Sequence, residues 1–410
     1  MALLPVSEPE QPVTFRWMFL VSLTQFGLNL GWITAIQIQL PVQLGEIDPA
    51  RKETALALVL GVGAFLSMVG NPLFGALSDR TRGRHGRRRP WVLCGSLGGA
   101  AGLVLIGVQE SVLGVAAGWA LVQVSLNAVL AAAVAALPDH VPVRQRGTVS
   151  AWWAVLGAIG PLAGGVVVTL LVTGRVQGYL ATAALLLATT LPFLFVVGER
   201  DAVAPSPPFR LRAFLAGFWI SPRRHPDFAW AWISRFLIML SISMGTSYLL
   251  YYLRDEVRHP DAEQGVVVLL VVYTTASILT ALAGGWLSDL LGKRRALACA
   301  GGLVGAGAAV LLGVTGSWET VIVAAVVLGM GSGAFFAVDQ AIITQVLPSP
   351  EDRAKDLGII NIANAGPQVL APVVAAPLVT LLGGYPTLYA VTALIGVAGG
   401  VLVWRIRDVP

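Results

Sequence analysis

Uncharged apolar runs long enough to cross a bilayer recur along this whole chain. They cover residues 17–45, 54–78, 90–109, 111–138, 147–174 and 176–198. A helix needs about 20 apolar residues to traverse the hydrocarbon core, so each run predicts one transmembrane helix. A polar segment at 199–226 follows, with Pro205, Pro207, Pro208, Pro222 and Pro226, and reads as a linker. The apolar pattern then resumes at 228–253, 264–288, 296–318 and 320–347. The last run, 357–404, is too long for one span and divides at Gly383, Gly384 and Pro386. The expected fold class is an all-α membrane protein of twelve transmembrane helices. Residues 1–198 form one six-helix half, 199–226 a cytoplasmic linker and 227–410 the other half.

Composition excludes a soluble alternative. Hydrophobic residues make up 56% of the 410 and charged residues 12%, against about 25% charged in ordinary soluble domains. No soluble interior of this size could enclose so much apolar surface. The net charge of +5 does not point to nucleic acid, because the arginines sit in short loops between apolar runs. Cys94 and Cys299 lie in apolar stretches without metal-ligand spacing and read as packing residues. Residues 1–12 lack the apolar core and cleavage site of a signal peptide, so none is expected to be removed.

Charge placement predicts orientation. One set of alternate loops holds Arg80, Arg82, Arg84, Arg87, Arg88 and Arg89, then Arg144 and Arg146, the linker, Lys293 to Arg295, Arg353 with Lys355, and Arg405 with Arg407. The other set has only Arg51, Lys52, Arg175, Arg254 and Arg258. By the positive-inside rule the first set is cytoplasmic, which puts both termini inside a plasma or inner membrane.

The chain also repeats. Leu77-Ser78-Asp79 recurs as Leu287-Ser288-Asp289, Gly75 as Gly285 and Leu137-Pro138 as Leu347-Pro348, all at an offset of 210. Each marker falls at the cytoplasmic end of the second or fourth helix of its half. Parallel six-helix repeats of this kind bind substrate between the halves near the midplane. The glycine strings around Gly61 and Gly329 lie inside apolar spans with no strand before them, which excludes a dinucleotide loop. Gly27 with Gly31 and Gly160 with Gly164 have the small-residue spacing of membrane helix interfaces.

The run Asn71-Pro72-Leu73-Phe74-Gly75-Ala76-Leu77-Ser78-Asp79-Arg80, continuing to Gly86-Arg87-Arg88-Arg89-Pro90-Trp91, resembles the loop between helices two and three of the major facilitator superfamily. More narrowly it is similar to the glycoside–cation symporters, which include sucrose-type transporters and melibiose permeases. Gly31-Trp32, several glutamines and Pro41 before Leu44-Gly45 resemble the first helix of the sucrose type. Topology matches over the whole chain, and residue-level resemblance concentrates in the first half. The resemblance implies that Gly75, Asp79, Arg80 and Asp289 belong to a cytoplasmic gate held by charge pairs. The other reading of the arginines is a topology signal alone. Melibiose-type symporters carry an acidic residue where this chain has Asn71, which argues against sodium coupling. The charge that sucrose transporters carry on helix four is also missing before Asp139.

Two ionisable residues lie inside predicted spans, where charge is costly and usually functional. Arg235 on helix seven and Asp339 on helix ten are each about 12 Å from the cytoplasmic end at 1.5 Å per residue, so a pair at equal depth is expected. Its role is either proton coupling or a static brace. Their counterparts at the repeat offset, Gln25 and Val129, are uncharged, which favours a specific role. For substrate, the candidates are the amides Gln25, Asn29, Gln37, Gln123, Asn127, Asn361 and Asn364, with Trp32 as a stacking face. Trp152 and Trp153 either stack likewise or anchor in lipid. Each amide has an equal alternative in bonding another helix.

These readings favour a monomeric secondary transporter for a small polar solute, a sugar or glycoside, driven by protons rather than sodium. An efflux carrier for amphipathic metabolites or drugs is the alternative, and a sensor or lipid scramblase on the same fold is a third class. No catalytic or metal-binding constellation and no phosphate loop appears in the sequence, so neither an enzyme nor a cofactor is expected.

Overall fold

In the computed structural model the described residues are 11–81, 86–198, 223–314, 316–346 and 353–407, all helical or in short connections. Among the described residues eleven helical spans are long and apolar enough to cross a membrane, and Gly366–Thr380 supplies the shorter apolar part of a twelfth helix. In chain order the helices are α1 (Phe15–Ile47), α2 (Lys52–Arg80), α3 (Arg89–Gly107), α4 (Val112–His140), α5 (Val143–Val166), α6 (Arg175–Thr190), α7 (Pro226–Ser247), α8 (Ala262–Leu291), α9 (Arg294–Val314), α10 (Trp318–Val346), α11 (Arg353–Thr380) and α12 (Gly384–Leu402). A short helix, Leu249–Asp255, extends α7. The division of the last apolar run falls at Gly383 and Gly384, whose φ of 109° and 81° only glycine adopts at low cost.

Two helices widen into π turns. In α1 the turn spans Ala35–Gln39 and closes with Leu40 N–H donating to the Ala35 carbonyl. It lies directly before Pro41, whose ring would otherwise crowd the carbonyl four residues back. A second π turn, Val167–Leu171, prolongs α5.

The chain divides into two compact units. One contains Met1–Pro49 and Val62–Phe209, the other Ala50–Gly61 and Arg210–Pro410. In the first, α1 packs on α5 and α6, and α3 on α4 and α6. In the second, α7 packs on α11 and α12, and α9 on α10 and α12. The same pairing, six helices on, is the structural form of the sequence repeat.

Lipid tails give no hydrophobic drive between helices, so packing rests on close backbone approach and internal hydrogen bonds. In the first unit a Cβ on Gly160 of α5 would lie 2.3 Å from the Phe26 carbonyl oxygen of α1. In the second, a Cβ on Gly331 of α10 would lie 2.6 Å from Gly305 N on α9. Four hydroxyls are satisfied along their own helices: Thr182, Thr190, Thr246 and Thr392 each donate to the carbonyl four residues back. The apolar residues left outside, such as Leu279, Leu282 and Trp286 on α8, suit hydrocarbon. Cys299 is buried as a packing residue, but Cys94 is exposed on α3, so it does not fill the core as its apolar surroundings suggest.

Candidate functional site

The second unit holds a buried ion pair. On α7 the inward face runs Phe228, Ala231, Arg235, Ile238 and Ser241, a helical period that carries Arg235 into the unit with its apolar neighbours. On α10, Asp339 lies between Val338 and Ile342 on the corresponding face. The Arg235 Nη1 donates to Asp339 Oδ2, and each side chain is only 5% exposed. The surroundings are apolar: Phe335, Val338, Ile342 and Ala298 belong to the same packed cluster as Phe228 and Ile238. Two charges so placed are costly unless paired, and removing either leaves the other uncompensated. The arrangement suits a carboxylate held by its partner in one state and released in another.

The first unit holds a charged network at the end carrying the Arg-rich loop. Arg88 is 5% exposed. It donates through Nη1 to Ser78 Oγ at 2.6 Å and through Nε to Asp139 Oδ2 at 3.1 Å. Its Nη2 pairs with Asp79 at 2.7 Å. Arg87 reaches the other oxygen of Asp139 at 2.6 Å, and Arg89 donates to the Val197 carbonyl. The ends of α2, α3 and α4 are thereby tied together. Asp79 is thus engaged as an ion-pair partner, while Arg80 donates to the Ala76 carbonyl of its own helix. A Cβ on Gly75 would meet nothing within 4 Å. The side chain of Asp289 lies outside the described residues.

The central residues, Arg88 and Asp139, were not among the sequence candidates. Helical period would have found the first. Val92, Ser96, Gly99 and Leu103 form the buried face of α3, and one turn before Val92 on that face is Arg88.

The amide candidates divide. Gln25, Asn29, Trp32 and Gln37 lie half-buried along α1. Gln25 donates to Asn29 Oδ1, and Asn29 Nδ2 donates to the Gly157 carbonyl of α5 at 2.9 Å. Among the described residues, Gln25 Oε1 and Trp32 Nε1 are buried without a hydrogen-bond partner. Gln123 and Asn127 are buried and bonded to each other, with Ser67 of α2 donating to Asn127 Oδ1. Trp152 packs edge-on against Phe15, which makes it part of the α1–α5 contact rather than a free stacking face. The side chains of Asn361 and Asn364 lie outside the described residues. Sequence reasoning passed over Gln43, which donates to the Ile106 and Gln109 carbonyls and accepts from Tyr179.

Paired six-helix units, one with a buried ion pair, define a polytopic carrier rather than an enzyme. The sequence model of the Major Facilitator Superfamily matches residues 14–268 and 232–410, and the chain belongs to that superfamily. Among solved structures it is similar to the nucleoside transporter NupG, with a TM-score of 0.74 and 12% identity over 95% of this chain and 99% of that one. It is also similar to the human organic anion transporter MFSD10, with a TM-score of 0.69 and 16% identity over 96% and 100%. Both likenesses are of fold. Solute carrier family 45 member 3 of Mus musculus is 39% identical over 89 residues, 22% of this chain and 16% of that protein. The Homo sapiens protein matches at the same identity and length. The chain thus aligns with only about a sixth of the length of these curated relatives. The narrower likeness to sucrose-type transporters rests on the loop and first-helix residues alone.

Proposed function

We propose that this chain is a secondary active transporter that moves a small neutral polar solute, a sugar or glycoside, by alternating access with proton coupling. The observation that carries the coupled reading is the Arg235–Asp339 pair, buried in apolar surroundings in one unit only. A brace needed by the fold itself would be expected in both units of a repeat, and the corresponding positions are Gln25 and Val129. In this reading the proton binds Asp339 when the pair opens and leaves when Arg235 returns. The half-buried stripe of Gln25, Asn29, Trp32 and Gln37 supplies amide and indole groups suited to hydroxyls and carries no charge that would select an ion. Division at the 199–226 linker, cytoplasmic termini and a gate around Asp79, Arg80 and Asp289 belong to the same proposal. The likeness to Solute carrier family 45 member 3 over 89 residues supports a solute carrier.

The test is uptake into proteoliposomes under an imposed proton gradient, across a panel of neutral sugars. Asp339→Asn is expected to abolish gradient-driven accumulation while solute exchange persists. Unchanged accumulation in that variant overturns coupling through this residue. Thermal stabilisation by amphipathic compounds and by no sugar would favour the efflux reading.

A further inference from the structure

Two basic runs far apart in the sequence meet at one end of the second unit. The loop after α8 ends Gly292-Lys293-Arg294-Arg295, and the chain leaves α12 through Trp404-Arg405-Ile406-Arg407. Arg295 Nη1 donates to the Ile406 carbonyl, and its guanidinium lies 5.9 Å from the centre of the Trp404 ring. Arg405 lies over the Trp230 ring of α7 at 5.7 Å. Val403 and Ile406 turn inward and belong to one packed cluster with Phe228 and Ala298. Trp404, Arg405 and Arg407 are left exposed, as is Lys293.

The first unit makes the same tie with a different charge balance. Arg89, at the start of α3, donates to the Val197 carbonyl beyond α6, just as Arg295 at the start of α9 donates beyond α12. In the first unit Asp139 holds both Arg87 and Arg88. Its counterpart at the repeat offset is Ser349, so the second unit lacks a carboxylate at that position. Among the described residues Lys293, Arg294, Arg295, Arg405 and Arg407 take part in no ion pair. The acidic residues beside these five are Asp289 and Asp408, which leaves positive charge in surplus. The neighbours then select the kind of anion. Trp404 is 55% exposed, and Leu290, Leu291 and Val401 next to the basic residues are exposed as well. Indole and aliphatic groups beside arginine suit the boundary between hydrocarbon and headgroups, whereas a soluble anion gains nothing from them. A guanidinium held over an indole keeps N–H donors free, and a pair of these matches two phosphate oxygens.

We propose that this end of the second unit binds the phosphate of an anionic phospholipid. Lys293, Arg405 and Arg407 contact the headgroup. Arg295 and Trp230 hold the site in shape, and Trp404 lies along the upper part of the lipid. Placing that lipid in the cytoplasmic leaflet rests on the orientation proposed above, but the binding and its test do not.

The experiment measures lipid retained by the purified full chain in a neutral detergent, by native mass spectrometry. The probes are phosphatidylglycerol, phosphatidylcholine and inorganic phosphate. Phosphatidylglycerol is expected to be retained in preference to phosphatidylcholine. Arg405→Gln with Arg407→Gln is expected to weaken its binding about twentyfold, at about fivefold for each charge near the surface. Arg405→Lys with Arg407→Lys keeps the charge and recovers most of the affinity. Arg144→Gln with Arg146→Gln removes as much charge from the first unit and leaves binding unchanged. Equal retention of the two lipids overturns the site. An equal loss in the Arg144 and Arg146 pair also overturns it, because the attraction would then be to net charge alone. So does a lysine pair that binds no better than the glutamine pair. Displacement of the lipid by inorganic phosphate at equal concentration would make this a site for a soluble anion and overturn the lipid assignment.

Discussion

At the scale of single residues, the Arg235–Asp339 pair sets the terms. Each partner is 5% exposed, so truncating one strands the other in an apolar interior. Arg235→Ala is expected to destabilise the protein by about 3–5 kcal/mol, the usual result of breaking a buried pair. The double change Arg235→Leu with Asp339→Leu is expected to recover most of that loss, since apolar replacement of both partners is often neutral. Thermal unfolding of the two variants checks this. A double variant as unstable as Arg235→Ala would mean the charges brace the fold. The pair was legible in the sequence because two charges stood at one depth in otherwise apolar runs. Arg88 was not, because three consecutive arginines in a basic loop hide which one points inward. Only the period of α3, from Leu103 back through Val92, separates it from Arg87 and Arg89. The bonding of Asn127 to Gln123 and Ser67 was also hidden, because an amide on a span has the same sequence signal whether it faces a solute or a neighbouring helix.

At the scale of elements, the spans were readable to within a few residues. Their length is dictated by the bilayer, and their ends are marked by charge, glycine and proline. How closely the helices approach was less readable, since 46 glycines do not announce which of them meet backbone. Gly331 does: its would-be Cβ points at Gly305 N and at the Gly301 carbonyl oxygen, 2.7 Å away. Backbone cannot step aside as a flexible side chain can. Gly331→Val is therefore expected to cost about 1–3 kcal/mol from overpacking, with α9 and α10 forced apart. Gly75→Ala provides the contrast. Nothing lies within 4 Å of that position, and Ala is favoured over Gly by about 1 kcal/mol in a helix interior. Its melting temperature should be unchanged or slightly higher. A normal melting temperature with impaired transport would show that Gly75 must stay small in a conformation other than this one.

At the scale of the whole molecule, the offset of 210 announced a repeat, and the matching helix pairings in the two units express it. The chemical inequality of the halves was legible too. The first carries the longer Arg-rich loop, and the second carries Arg235 and Asp339 inside its apolar spans. The membership of Ala50–Gly61 in the second unit was not legible. Nothing in the composition of an ordinary apolar helix start says which neighbours it will meet; the partner of Lys52 is Asp255, some 200 residues further along.

The π turn of α1 bears on where such a chain tolerates a change of length. A π turn holds one more residue than the α turn it replaces. Deleting Ile36 should let Ala35–Gln39 close as ordinary helix while everything beyond keeps its direction, so that Gln43 still meets the Tyr179 hydroxyl. Deleting Leu28 from the regular part of the same helix offers no slack. It would rotate every later side chain by about 100° and turn Gln43 away from its partners. The first deletion is expected to yield a monodisperse protein on size exclusion and the second an aggregated one. A widened turn therefore acts as a hidden joint for insertion and loss, and it places residue 37, one of the candidate solute contacts, where a change of length can reorient it without disturbing the helices on either side.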